Sequence, residues 1–81
     1  MDDDLNECWI ALNTLPNRGE QDTIQAELEL HGAVRVRFNW RIGEWPFVQF
    51  YSTLTLEESV ELALDVISRL SPRLLVRNEV H

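Results

Sequence analysis

The chain contains no lysine: all seven basic residues are arginines, set against fourteen Asp and Glu, for a formal net charge of -7 in 81 residues. A surface so poor in positive charge repels a phosphate backbone, which argues against direct nucleic-acid binding and for a basic partner. Cysteine is nearly absent as well. With Cys8 alone no internal disulfide can form, so a chain this short must be held by its core. The two histidines, His31 and His81, and the lone cysteine give no zinc spacing, and Gly19, Gly32 and Gly43 make no phosphate-cradling loop. No apolar run approaches the ~20 residues of a membrane span, and the Met-Asp-Asp-Asp start is the opposite of a basic secretory signal. The expectation is a single cytoplasmic domain over residues 1–81, with 1–5 a flexible acidic tip.

What the chain does have is alternation. From Glu7 to Asn13, Cys8, Ile10 and Leu12 alternate with Glu7, Trp9, Ala11 and Asn13, the pattern of a half-buried strand. Residues 14–22, with Pro, Asn, Gly and Asp, read as an exposed loop. Ile24, Ala26, Leu28 and Leu30 then alternate with Thr23, Gln25, Glu27 and Glu29, which predicts a second strand. After His31-Gly32-Ala33, Val34, Val36, Phe38 and Trp40 alternate with Arg35, Arg37, Asn39 and Arg41. A three-residue turn centred on Gly32 would set Leu28 opposite Val36 and Ala26 opposite Phe38, and also Glu29 opposite Arg35 and Glu27 opposite Arg37. Core and charge pairs would come into register together, each contributing roughly 0.2–1 kcal/mol. Residues 42–46 form the next turn, with Pro46 at the start of a strand over 47–53. Pairing Phe38 with Phe50 and Trp40 with Val48 continues the core face, and places Phe47 beside Arg41 and Tyr51 beside Arg37.

Thr55-Leu56-Glu57-Glu58 is a capping box and predicts a helix from Leu56 to about Leu70, where Ser71-Pro72 stops it. Its apolar stripe centres on Leu56, Val60, Ala63, Leu64, Ile67 and Leu70, with Leu62 and Val66 on one flank. This arc exceeds the ~100° a surface helix needs, and Leu74-Leu75-Val76 is the nearest cover for its edge. The segment 73–80 reads as a short last strand, with a strap along the helix edge as the alternative. The predicted fold is therefore α+β: an antiparallel sheet of three to four strands, one C-terminal amphipathic helix packed on one face, and room for a short final strand.

No catalytic residue, metal ligand set or cofactor site emerges, and the chain does not read as an enzyme. Cys8 alternates with Ile10 and Leu12 and faces the core as a small hydrophobe. Asp2, Asp3 and Asp4 lack the glycine turn and spacing of a calcium loop and read as a solvated tip. Glu58 and Glu61 sit on an exposed helix face without a pocket. Two surfaces remain as binding candidates. Glu57, Glu61 and Asp65 lie at i, i+4 and i+8, a ladder of carboxylates about 6 Å apart that, with the Asp2–Asp4 tip, resembles a row of phosphates; the plain alternative is a wettable outer face. The sheet face away from the helix would gather Trp9, Phe47 and Tyr51 among Arg35, Arg37 and Arg41, residue types enriched in interface hot spots. Here the plain alternative is an ordinary sheet face with arginines paired to Glu27 and Glu29.

A small acidic strand block followed by Ser52-Thr53-Leu54-Thr55-Leu56-Glu57-Glu58, opening an amphipathic helix, resembles in layout the compact phage and mobile-element inhibitors of the anti-CRISPR kind. The resemblance covers residues 23–70 and carries no family-specific functional residue. It implies a stoichiometric protein inhibitor that covers a basic nucleic-acid site on a host effector complex, such as a CRISPR complex. The other reading is a dimerising adaptor, antitoxin-like or immunity-like, binding through the aromatic and arginine face.

Overall fold

The computed structural model describes residues 4–75. Three strands, β1 (Asn6–Ala11), β2 (Val34–Asn39) and β3 (Phe47–Ser52), form one antiparallel sheet in the order β1-β3-β2. Helix α1 (Arg18–Leu30) links β1 to β2, and helix α2 (Leu56–Leu70) follows β3. Both outer strands pair antiparallel to β3 and so run parallel to each other. A parallel relation needs a crossover of a dozen or more residues, which α1 supplies. The helices lie side by side on one face of the sheet, α1 over β2 and α2 over β1. The α+β architecture, the three-stranded antiparallel sheet and the C-terminal helix are as the sequence predicts.

The segment predicted as a strand over residues 23–30 is instead the body of α1. Ile24 and Leu28 are four apart and so satisfy the helical period as well as the strand period; both are fully buried, whereas Ala26 and Leu30, the other two positions of the alternation, are exposed. Residue type decides between the periods, because Gln25, Ala26, Glu27, Leu28, Glu29 and Leu30 are strong helix formers and not β-branched. The helix starts inside the expected loop. The Asn17 side chain accepts from the Glu20 N–H at 2.8 Å while the Glu20 carboxylate accepts from the Asn17 N–H at 2.9 Å, a complete capping box. It ends at Gly32, which takes φ 97°. There the Ala33 N–H reaches the Leu28 carbonyl and the Gly32 N–H the Glu29 carbonyl, both at 3.0 Å, the Schellman closure that favours glycine. The glycine turn is therefore real, but it stops a helix and joins no hairpin.

The β2–β3 pairing is antiparallel as expected, with a register two residues away from the predicted one. Phe38 faces Val48, and Asn39 faces Phe47. A shift of two preserves the faces, so the core side is unchanged, but the loop lengthens to include Trp40 and Arg41, and Trp40 is exposed. Gly43, at φ 84°, turns the loop, closed by the Glu44 N–H on the Arg41 carbonyl. Between Val34 and Arg37 the ladder carries a bulge with Arg35 at φ 55°, and Val34 thereby comes opposite Tyr51 on the outer face, exposed.

One apolar cluster fills the space between the layers: Cys8, Val48 and Phe50 from the sheet, Ile24 and Leu28 from α1, Ala63, Val66 and Ile67 from α2, with Leu12, Ala33 and Leu74 closing the ends. The buried stripe of α2 centres nearer Ser59 than predicted. Ser59 is fully buried and shares a 3.0 Å hydrogen bond with the hydroxyl of Ser52, whose oxygen also accepts from the Leu54 N–H. A polar residue at the centre of the stripe is invisible to hydrophobic counting, and the rotation leaves Leu56 and Leu64 exposed. After α2, Pro72–Leu74 form a 3-10 turn that buries Leu74 under the helices, and Leu75 makes an isolated antiparallel bridge to Leu12. Thus the predicted last strand starts as a 3-10 turn, because Pro72 favours a helical first position. The rest of that prediction, from residue 76 onward, lies outside the described residues.

Candidate interaction surfaces

The two layers divide the charge. The helices carry Glu20, Asp22, Glu27, Glu29, Glu57, Glu58, Glu61 and Asp65 against Arg18 and Arg69, whereas the strands carry Glu7 against Arg35 and Arg37. The helix layer is strongly acidic, and the sheet face is slightly basic.

On the acidic side, Glu57, Glu61 and Asp65 are all exposed on α2. The capping box at the start of the helix is formed: the Thr55 hydroxyl accepts from the Glu58 N–H at 3.1 Å, and the Glu58 carboxylate accepts from the Thr55 N–H at 3.0 Å. Glu57 and Glu61 form no ion pair among the described residues. Asp65 does, since the Arg69 guanidinium donates to it at 3.0 Å from Nε and also lies 3.5 Å from Glu27 on α1. The ladder therefore narrows to Glu57 and Glu61, with its C-terminal end bridged to the neighbouring helix. Asp4 is exposed; Asp2 and Asp3 lie outside the described residues.

Glu27 and Glu29, predicted to neutralise Arg37 and Arg35, do not reach them. They belong to α1, where Glu27 meets Arg69 and His31, and Glu29 accepts from the Gln25 amide at 3.1 Å. Arg35 and Arg37 consequently have no carboxylate partner among the described residues.

The outer face of the sheet, left uncovered by the two helices, brings together most of the second predicted set. Trp9 stands on β1, 61% exposed, with its ring centroid 4.9 Å from that of Phe47 on β3. The guanidinium of Arg35 lies 5.9 Å from the Tyr51 ring centroid, a cation–π distance. The partner of Tyr51 is thus Arg35 across the bulge, and the expected Phe47–Arg41 pair is replaced by Phe47 opposite Asn39, because the shorter β2 ends before Arg41. Arg41 stands apart, exposed in the β2–β3 loop. Glu7 completes the face and was not singled out from sequence: its carboxylate accepts from the Gln49 amide and, at 3.3 Å, from the Tyr51 hydroxyl. Its strand neighbours across β3 could have pointed to it only once the β1–β3 register was known. Arg35, Arg37, Gln49 and Tyr51 line a shallow depression of about 140 Å³.

Cys8 lies on neither surface. Burial pushes the Cys8 thiol up from its ordinary value, so it stays protonated and enclosed in the core. Among the described residues no three His, Cys, Asp or Glu side chains are placed to hold a metal ion, and no helix is long and apolar enough to cross a membrane. Comparison with protein-family models, curated proteins and solved structures finds no match to this chain.

Proposed function

We propose that the protein is a non-catalytic acidic binding protein that acts as a stoichiometric inhibitor in the cytoplasm of a host cell, covering a basic nucleic-acid-binding site on an effector complex in the anti-CRISPR manner. The observation that carries this reading is the segregation of charge: eight carboxylates share the helix layer with two arginines, and Glu57 and Glu61 project from α2 without a counter-ion among the described residues. Like charges one helical turn apart repel by a few tenths of a kcal/mol, and a basic groove relieves that repulsion while the row of carboxylates takes the place of phosphates. Sequence-independent phosphate contacts supply most non-specific nucleic-acid affinity, so an acidic row blocks such a site without reading bases.

The test is a titration of target-DNA binding by a panel of purified CRISPR effector complexes. Wild-type protein is expected to abolish DNA binding by one of them at a 1:1 ratio, and E57R/E61R to lose at least an order of magnitude in potency. Asp65→Arg is expected to matter less, because Asp65 is already bridged to Arg69. If no complex responds, the inhibitor reading fails.

A second reading, an adaptor or antitoxin-like module that self-associates through the sheet face, is favoured by one separate observation. Trp9 stands exposed with its ring tilted against that of half-buried Phe47 on a face that the helices leave bare, and aromatic and arginine clusters are typical of interface centres.

A further inference from the structure

We infer that the open sheet face is a self-complementary dimer interface, in which Glu7 and Trp9 of one copy dock on the Arg35, Arg37, Gln49 and Tyr51 depression of a second copy. This rests on the sheet-face reading and is independent of the helix-layer one.

Strand register fixes how two such faces can meet. Because β3 pairs with both outer strands, it assigns each outer-face residue a height. Glu7 and Val34 both lie opposite Tyr51, Trp9 and Arg37 both lie opposite Gln49, and Ala11 and Asn39 both lie opposite Phe47; Arg35 sits in the bulge next to Val34. Two copies packed face to face about a two-fold axis parallel to β3 stack β3 on its copy and lay β1 of each on β2 of the other, with heights retained. Glu7 then meets the partner at the level of Arg35, and Trp9 at the level of Arg37. Symmetry makes each contact twice. The alternative in-plane axis, perpendicular to the strands, would set Arg37 on Arg37 and Glu7 on Ala11. The charge pattern therefore selects the first arrangement.

The contacts made are chemically sound. Arg35, Arg37 and Glu7 have no ion pair among the described residues, so an intermolecular carboxylate–guanidinium pair answers both signs, and an indole over a guanidinium is the strongest cation–π pairing. Aligned sheets pack about 10 Å apart, within reach of opposed Arg and Trp side chains. The bulge has a role in this. The left-handed backbone at Arg35, uncommon for a non-glycine residue, places its guanidinium 5.9 Å from the Tyr51 ring centroid, at the rim of the depression. Three strands of six residues span roughly 15 by 20 Å, a footprint of roughly 300 Å² per copy against the ~800 Å² per partner of a standard specific interface. The dimer is accordingly weak and concentration-dependent, and it leaves both acidic helix layers outward.

Sedimentation equilibrium of the full chain over a wide concentration range tests this. Wild type is expected to show a monomer–dimer equilibrium, and E7R and R35E each to weaken it by about tenfold or more, since like charges then face each other. An equimolar mixture of E7R and R35E should regain the dimer, because the heterodimer restores an opposite-charge pair at both positions. A strict monomer at the highest concentration, a dimer indifferent to both variants, or a mixture no better than its components would overturn the inference. Should either variant fail to fold, NMR of the wild type on dilution decides: the Trp9 indole and Gln49 amide signals should shift with those of α2 fixed, and shifts confined to α2 would contradict the interface. Inhibition of effector complexes by E7R and R35E, whose helix layers are untouched, is expected to persist, so failure of this inference does not mimic failure of the inhibitor reading.

Discussion

Ser59 sets how α2 sits on the sheet. Fully buried and bonded to Ser52, it pulls the centre of the buried stripe away from Leu56 and Leu64, which a count of apolar residues would place inside. The pair is satisfied, and a satisfied buried hydroxyl costs little while an orphaned one costs about 1–3 kcal/mol. At the edge of the helix layer, Glu20 is tied to Arg73 by a 2.9 Å hydrogen bond from Nε. That bond, aided by the Asn17 N–H, holds the Glu20 carboxyl below the usual carboxylate range. A carboxyl depressed on folding contributes stability above its unfolded pKa, about 4.3 for Glu, and that contribution disappears as pH falls through the lower folded value. Urea midpoints measured across acid pH are therefore expected to fall less steeply in Glu20→Gln than in wild type below about pH 4; parallel curves would show that the pair adds nothing.

Elements show where sequence reasoning succeeds and where it stops. Helix α2 was readable from Thr55-x-x-Glu58 and the Ser71-Pro72 stop, and its boundaries are those predicted. The same signal, Asn17-x-x-Glu20, opens α1, inside the segment that reads from sequence as an exposed loop. Ile24 and Leu28 fit both periods, and the charge match of Glu27 and Glu29 with Arg37 and Arg35 lent the hairpin a coherence that the chain does not use. The open face with Trp9, Phe47, Tyr51, Arg35 and Arg37 survives this error, because α1 joins α2 on the same side of the sheet. What could not be read was the bulge at Arg35 and the part played by Glu7, both of which depend on β3 lying between β1 and β2. If the cap fixes the start of α1, Asn17→Ala should cost about 1 kcal/mol of stability, as such caps do elsewhere, measured as a lowered urea midpoint with an unchanged slope. A loss indistinguishable from zero would mean that packing of Ile24 and Leu28 alone defines the helix.

At the scale of the whole molecule, a net charge of -7 resolves into two unlike faces. The bare sheet presents aromatic rings, Glu7 and two arginines; the helices present most of the carboxylates. The two proposed contacts use separate faces, a second copy on the sheet and a basic partner on the helices. The proposed attraction through the acidic layer would be electrostatic and screened over about 8 Å at physiological ionic strength, whereas the proposed sheet contact would depend on aromatic burial and opposed charge pairs at close range. The most direct measurement is a face-resolved inhibition titration, in which E57R/E61R and W9S/R37E are compared with wild type for blocking target-DNA binding by the responsive effector complex. Loss of at least tenfold in potency for the helix-layer variant, with the sheet-face variant close to wild type, is the expected result. The reverse order, with the sheet-face variant inactive and the helix-layer variant fully potent, would contradict the assignment of partner binding to the acidic helices.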